Sequence, residues 1–280
     1  MLSYRHAFHA GNFADVMKHV VLASMIHYMT RKEAPLCYID THAGAGSYDL
    51  RSDHAQKNRE SESGIARVRD TGNAPLAVAR YLEVLDRIGG GAEQAPYPGS
   101  PLIAATLLRP QDRLMLCELH SSDFPVLQQA FRKDRRVHCF NEDGYRFSKG
   151  LLPPAERRGL VLMDPSYEIA KEYDTAADTL VALHRRFATG TFALWYPILD
   201  SRRSVALRLA VQKSSMRDVL NLELHVADRK NAPGMYGCGM MVVNPPWTLR
   251  EEMEQALPWL ARVLGRDSAA NSGIDQWVEE

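Results

Sequence analysis

Two short stretches of this 280-residue chain carry residue types suited to chemistry on an aromatic amine. Asp164-Pro165-Ser166-Tyr167 closes the apolar run 159–163, and Asn244-Pro245-Pro246-Trp247 closes the apolar run 238–243. An exocyclic amine on a heteroaromatic ring is a poor nucleophile, because its lone pair is delocalised into the ring. A side-chain oxygen and a backbone carbonyl, both accepting from the NH2 group, draw that nitrogen toward tetrahedral geometry. They also stabilise the positive charge that develops on attack. At the first stretch the acceptors would be Asp164 and the carbonyl of Pro165, with Tyr167 stacked on the ring. Ser166 stands where a second proline would hold Pro165 in extended geometry, which predicts looser preorganisation with activity retained. The second stretch matches the pattern better by its letters. Topology favours Asp164, which ends a strand expected beside the first one, next to a donor's reactive group. Asn244 ends the last strand at the far side of the sheet and reads as a rigid exit turn, with Trp247 packed or near the substrate edge.

Three other strand ends are chemically suggestive. The first strand runs into Asp40-Thr41-His42-Ala43-Gly44-Ala45-Gly46, where Gly44 and Gly46 let backbone approach a ligand. The third glycine of the dinucleotide fingerprint is missing. The second strand ends at Glu118, which can accept from both hydroxyls of a ribose. The third ends at Glu142-Asp143-Gly144, where Asp143 can accept from an adenine amino group and Gly144 leaves room for the ring. Each alone is also an ordinary turn or solvated strand end. Together they describe an adenosine-containing ligand without a pyrophosphate, which suits S-adenosylmethionine better than NAD. The amino-acid end of that ligand is a zwitterion whose carboxylate wants cations or helix N-terminal amides. Lys18, His19 and Ser100 are candidates for it, and Asp40 or the backbone near His42 for the amine; His19 and His42 read equally as core or surface histidines. On the substrate side, Tyr4, Arg5, His6 and His9 mix groups suited to stacking and phosphate contact with an unpaired RNA base. The loop 228–239 adds Arg229, Lys230 and Tyr236.

The elements that must position these residues alternate. Asn12 caps a helix running to about Met29, and a short buried strand follows at 36–40. Residues 49–96 are polar and broken by glycines, with helical spacing between the breaks, and read as a small helical insertion. That insertion explains why Glu118 lies about seventy residues beyond Gly46, where about twenty is usual. A helix is predicted from Ser100 as N-cap, with Pro101 at its first position. Strands are predicted at 113–120, 136–143, 159–165 and 191–198 with helices between them, so a mostly parallel sheet covered on both faces is expected. Strands at 220–227 and 238–245 are joined by about ten residues, too few for a parallel crossover. Seven strands ending in an antiparallel hairpin is the order of a Rossmann-like, class I methyltransferase. Residues 265–273 read as a loose tail.

Composition is ordinary for a globular protein, at 45% hydrophobic and 24% charged. Lys plus Arg equals Asp plus Glu at 34 each, so a nucleic-acid partner must be recognised by local shape rather than by global charge. Cys37, Cys117, Cys139 and Cys238 sit singly in apolar runs and read as inert buried thiols, not metal ligands. No apolar run approaches the roughly 20 residues that span a bilayer. The N-terminus lacks the apolar region of a secretory signal, and a cytoplasmic protein is expected.

The stretches MLSYRHAFHAGNFADVMKH, DTHAGAGSY, YPGSPLIA, EDGY, RRGLVLMDPSYE, RFATGTFALWYPI and GMMVVNPPW resemble, nearly end to end, the RlmJ family of bacterial 23S ribosomal RNA adenine-N6 methyltransferases. The resemblance implies methylation of one adenine of the large-subunit RNA, free or in an early assembly particle, with S-adenosylmethionine as donor. It implies a methyltransferase domain of residues 1–48 and 97–280 carrying a helical subdomain at 49–96. Within it His19, His42, Ser100, Glu118, Asp143 and Gly144 match cofactor positions, Asp164 the catalytic acid, and Tyr4 a residue near the substrate adenine. Ser166 is the departure from the family's pattern. A monomer without metal or membrane attachment is the default. Competing readings are the same chemistry on DNA, a silent RNA-binding assembly factor that kept the fold, and a nicotinamide oxidoreductase.

Overall fold

The structure, a computed structural model, describes residues 6–89, 96–199, 202–230 and 234–277. Its first long helix, α1 (Phe13–Met29), starts where the Asn12 side chain accepts from the backbone N–H groups of Ala14 and Asp15, each at 2.9 Å. That cap satisfies donors which the first helical turn leaves open. Every residue from Phe13 to Ile26 is buried, so α1 is a core helix rather than an amphipathic surface one.

The chain then forms β1 (Cys37–Asp40), β2 (Ser47–Tyr48), β3 (Tyr97–Pro98), β4 (Arg113–Cys117), β5 (Val137–Phe140), β6 (Gly159–Met163), β7 (Thr191–Ile198), β8 (Val219–His225), β9 (Gly237–Val243) and β10 (Asn271–Trp277). Eight of these make one sheet in the order β10-β8-β9-β7-β6-β1-β4-β5. The five strands from β7 to β5 are parallel, and β9, β8 and β10 add antiparallel pairs. β1 lies between β4 and β6. The apolar runs of β1, β6 and β9 are buried throughout, as a sheet covered on both faces requires. This is the class I methyltransferase architecture expected from the alternation, with one correction. The stretch read as a loose tail holds β10, which pairs with β8 from Asn271 opposite His225 to Trp277 opposite Val219. Among the described residues the sheet therefore has eight strands, not seven. The polar NSGIDQW run carries little apolar signal because β10 is an edge strand held largely by its ladder.

The helices are α2 (Asp53–Asn58), α3 (Arg67–Asp70), α4 (Leu76–Gly89), α5 (Ser100–Leu107), α6 (Asp123–Phe131), α7 (Gly144–Phe147), α8 (Glu172–Arg186), α9 (Arg203–Gln212) and α10 (Leu249–Leu264). The described residues between β2 and β3 include α2, α3 and α4, with a π-turn at Glu62–Ala66 between α2 and α3. Their buried side chains, including Ile65, Val68, Val78 and Tyr81, share one apolar core with α1, α5 and α10. β2 and β3 pair with each other and bring the two ends of the segment together. Cys37, Cys117 and Cys238 are buried free thiols and Cys139 is half-buried; burial pushes Cys37 and Cys117 up to about 12. Among the described residues no helix is long and apolar enough to cross a membrane.

Candidate active site

The parallel strands all end at one edge of the sheet, and the turns that follow β1, β4, β5 and β6 surround a cavity of about 480 Å³. Its walls bring together His6, Lys18, His19, His42, Gly44, Ser100, Glu118, Asp143, Gly144, Asp164, Pro165 and Tyr167, which lie far apart in the chain.

The turn after β1 is built for close approach. Gly44 has a left-handed backbone, φ +62°, and a Cβ there would run into the Tyr48 hydroxyl. Gly144, at the start of α7, faces the Thr41 carbonyl so closely that no side chain fits. Glu118 ties this turn to the end of β4, accepting from Gly44 N at 2.7 Å and His120 N at 2.6 Å. Burial raises its carboxyl. Each oxygen keeps a lone pair for a hydroxyl, as a carboxylate offers about four acceptor sites. Asp143 uses one oxygen to cap α7 through Tyr145 N, at 2.9 Å, and is otherwise exposed. Asp40 is fully buried, behind the wall rather than on it. It accepts from the Ser100 and Tyr38 hydroxyls, both at 2.7 Å, and from His42 N at 3.2 Å. Burial lifts its carboxyl to about 6, and its reach toward a ligand is through Ser100. Ser100 is the first residue of α5, whose N-cap is Gly99, and not itself the cap. Gly46 also stands off the cavity; its carbonyl accepts from Gly99 N at 2.8 Å.

Two residues read as cations behave otherwise. Lys18 Nζ lies 2.5 Å from Asp164 Oδ2 and 2.8 Å from Asp15 Oδ1, with its side chain 5% exposed. Burial works against its charge, but the two carboxylates outweigh it and hold the amine well above its ordinary range. Its charge is spent on protein carboxylates rather than left for a ligand. Burial holds His19 down at about 3, so it is a neutral imidazole and no cation. His42 is likewise lowered to about 4 by burial; its Nδ1 lies 2.7 Å from Thr41 Oγ1, and its ring meets Tyr145 edge-on.

Asp164 follows β6 directly, and Tyr167 after it has a left-handed backbone, φ 54°. A tyrosine holds that conformation only when its surroundings fix it. Here the hydroxyl donates to the Trp195 carbonyl at 2.8 Å, and the ring packs against Tyr173. Ser166 donates to Glu172 at 3.4 Å, a weak tie to α8 in place of a second proline's stiffness. Asn244 sits beside Thr191 at the start of β7, the opposite edge of the sheet, because β9 runs antiparallel to its neighbours. Its amide donates to the carbonyls of Ala188 and Gly190, closing a turn. Trp247 is neither packed nor near the cavity mouth; it is 88% exposed.

Several partners escaped sequence reasoning. Asp15, in the first turn of α1, bridges Lys18 to the N-terminal turn through His6 Nε2 at 2.8 Å and Gly11 N at 2.9 Å. Glu60, from the segment before the π-turn, holds the same turn through His9 and Asn12, each at 2.9 Å. Asp15 and Lys18 at i, i+3 could have signalled their pairing; Glu60 left no such trace. Of the substrate-side residues, His6 lines the cavity, and the Tyr236 ring lies beside His225 off its wall. Arg229 and Lys230 also stand off the wall, and Tyr4 falls outside the described residues.

Comparison with known proteins places this site in a family. The family model described as "Ribosomal RNA large subunit methyltransferase D, RlmJ" matches residues 33–278. The chain is 44% identical over 280 residues to the Ribosomal RNA large subunit methyltransferase J of Escherichia coli, covering all of both chains. It is 43% identical over 281 residues to the Haemophilus influenzae protein of the same name, covering 100% of this chain and 98% of that one. The crystal structure of protein LPL1258 from Legionella pneumophila superposes with a TM-score of 0.88 at 34% identity, over 96% of this chain and 98% of that one. The chain belongs to the RlmJ family of ribosomal RNA large-subunit methyltransferases.

Proposed function

We propose that this protein methylates the exocyclic N6 of one adenine in 23S ribosomal RNA, free or in an early assembly particle in the cytoplasm, with S-adenosylmethionine as donor. The observation that carries this reading is the placement of the Asp164 carboxylate. It ends the strand beside β1 and faces the same cavity as the glycine turn, Glu118 and Gly144. The residues fit the donor. The approach at Gly44 and Gly144 suits a flat base, Glu118 retains lone pairs for ribose hydroxyls, and His19 Nε2 is a buried polar atom without a partner among the described residues. When bound, S-adenosylmethionine supplies an electrophilic methyl group.

The protein's part is positioning and electrostatics. Lys18 holds Oδ2 of Asp164, which leaves Oδ1 to accept from the adenine NH2. The Pro165 carbonyl is the second acceptor, and the two together stabilise the charge that grows on N6. The target base must leave its stack to reach them. Tyr167, locked by Trp195 and Tyr173, offers a fixed aromatic wall that loses little entropy on binding. We read residues 49–96 as an insertion that holds the N-terminal turn over the site through Glu60. Tyr4, His6, Arg229, Lys230 and Tyr236 are read as RNA-side contacts.

Asp164→Asn keeps the shape but replaces one acceptor with an amide. Transfer of labelled methyl to protein-free 23S ribosomal RNA is expected to fall at least about a hundredfold, the cost of a lost charge-stabilising group. Product digestion should show N6-methyladenosine in the wild-type reaction. Unchanged transfer by the variant, or preference for duplex DNA over the RNA, would overturn the assignment.

A further inference from the structure

Three buried rings join the helical segment 49–96 to the cavity. Tyr81 on α4 and Tyr97 on β3 have their hydroxyls 2.7 Å apart, and the Tyr97 hydroxyl lies 3.0 Å from His19 Nδ1 on α1. Tyr81 is fully buried, Tyr97 is 4% exposed and His19 1%. His19 lines the cavity, and its Nε2 is buried with no hydrogen-bond partner among the described residues.

Counting protons gives this chain a direction. Suppose His19 Nδ1 carried the ring proton and donated to Tyr97, which then donated to Tyr81. The Tyr81 hydroxyl proton would have no acceptor, because among the described residues that hydroxyl bonds to Tyr97 alone. A buried unsatisfied donor costs about 1–3 kcal/mol. In the opposite direction Tyr81 donates to Tyr97, Tyr97 donates to Nδ1, and the one proton left over is the ring's own, which a ligand in the cavity can take up. The ring proton then sits on Nε2, the atom at the cavity wall. Burial raises both tyrosine hydroxyls, so both remain donors. The neutral imidazole needed at the end of the chain is the one burial enforces.

We propose that Tyr81 and Tyr97 are positioning residues which fix His19 as the Nε2–H tautomer, so that it donates to the carboxylate of the donor's amino-acid end. The inference rests on the S-adenosylmethionine reading above and assigns a specificity to the same site. The helical segment backs Tyr97 from α4, where Tyr81 donates to its hydroxyl, although Tyr81 itself does not line the cavity. An amine at Nε2 would meet a second donor, so the tautomer also fixes which end of the zwitterion lies there.

The test uses the full-length protein and two ligands, S-adenosylmethionine and its decarboxylated form, which keeps the sulfonium, adenosine and amine. Tyr97→Phe removes the donor to Nδ1 and lets the ring choose its tautomer. Calorimetry is expected to show S-adenosylmethionine bound about five- to tenfold more weakly by the variant, the net contribution of one ordinary hydrogen bond. The decarboxylated ligand should bind both proteins equally, which also shows that the variant is folded. At saturating donor kcat should stay within about twofold while the donor KM rises, since the lost interaction is made in ground and transition state alike. Nitrogen-edited NMR of labelled histidine should place the wild-type ring proton of His19 on Nε2. Tyr81→Phe, which removes only the outer link, should keep the ring proton on Nε2, because among the described residues Nδ1 is then the one acceptor left for the Tyr97 proton. An Nδ1–H ring in the wild type, or equal weakening of both ligands in Tyr97→Phe, would overturn the proposal. If the wild type bound neither ligand, the methyl-donor reading would fall, and the tautomer measurement would still decide the role of the tyrosines.

Discussion

Lys18, with carboxylates at 2.5 and 2.8 Å and almost no exposed surface, holds two acids together where neither could stand alone. Removing one partner of a buried pair leaves an uncompensated charge, a loss of about 3–5 kcal/mol. Lys18→Met should destabilise the protein by that amount at pH 7, measured by urea unfolding. The deficit should shrink as pH falls toward 4. In the wild type burial opposes the Asp15 charge, but His6 and Lys18 hold its carboxyl well below 3.8. Its contribution is therefore present above that pH and is lost only at lower pH, as the folded-state carboxyl protonates. In the variant the same buried carboxyl has lost its ammonium and takes up a proton more readily folded than unfolded, so acid favours its folded form. A deficit of equal size at pH 7 and pH 5 would contradict this account. Asp164 was legible in the sequence because an acid closing an apolar run must lie at a strand end. The pairing of Lys18 with Asp164 was not, since the angle at which α1 crosses the sheet, which no local pattern records, decides it.

At the scale of elements, the site depends on how closely the start of α7 approaches the turn after β1. A Cβ on Gly144 would collide with the Thr41 carbonyl, which is backbone and has nowhere to move. Gly144→Ala should force the two turns apart, cost about 1–3 kcal/mol as overpacking does, and weaken donor binding more than tenfold. Gly150→Ala is the matched control: a Cβ there meets nothing within 4 Å, and neither thermal unfolding nor donor binding should change appreciably. Equal behaviour of the two variants would show that the approach at Gly144 is dispensable. The same scale explains what could be read in advance. β1, β4 and β6 were legible because short parallel strands buried on both faces are written as bare apolar runs. The helices of 49–96 were legible from spacing, but the π-turn was not. It occurs where Gly64 packs against the Gly11 carbonyl, a contact between segments more than fifty residues apart. β10 was missed because its order comes from a partner strand rather than from its own composition.

For the whole molecule the strand order separates two tasks. The parallel half, from β7 to β5, carries the cavity at its strand ends. The antiparallel half turns β9 the other way, which is why Asn244 and Trp247 lie at the opposite edge despite their suggestive letters. β10 closes that half. Without it the outer edge of β8, seven residues from Val219 to His225, would expose unpaired backbone groups, the usual template for aggregation. β10 is also pinned from the side, by Gln276 donating to Asp218 at 2.7 Å and Arg250 donating to Gln276 at 3.1 Å. It stands four strands from β6, about 19 Å at roughly 4.8 Å per strand, so its ladder does not reach Asp164. Truncation after Ala269 should therefore lower the unfolding temperature and promote association, seen as concentration-dependent light scattering. The kcat of the fraction that stays monomeric should match the full chain. Replacing inward-pairing residues of the exposed β8 edge with lysine should suppress the scattering without restoring the lost stability, because charge blocks edge pairing but supplies no ladder. A truncated protein that stayed monomeric yet lost methyl transfer would show instead that the antiparallel half shapes the cavity, and the division of labour drawn from the strand order would fail.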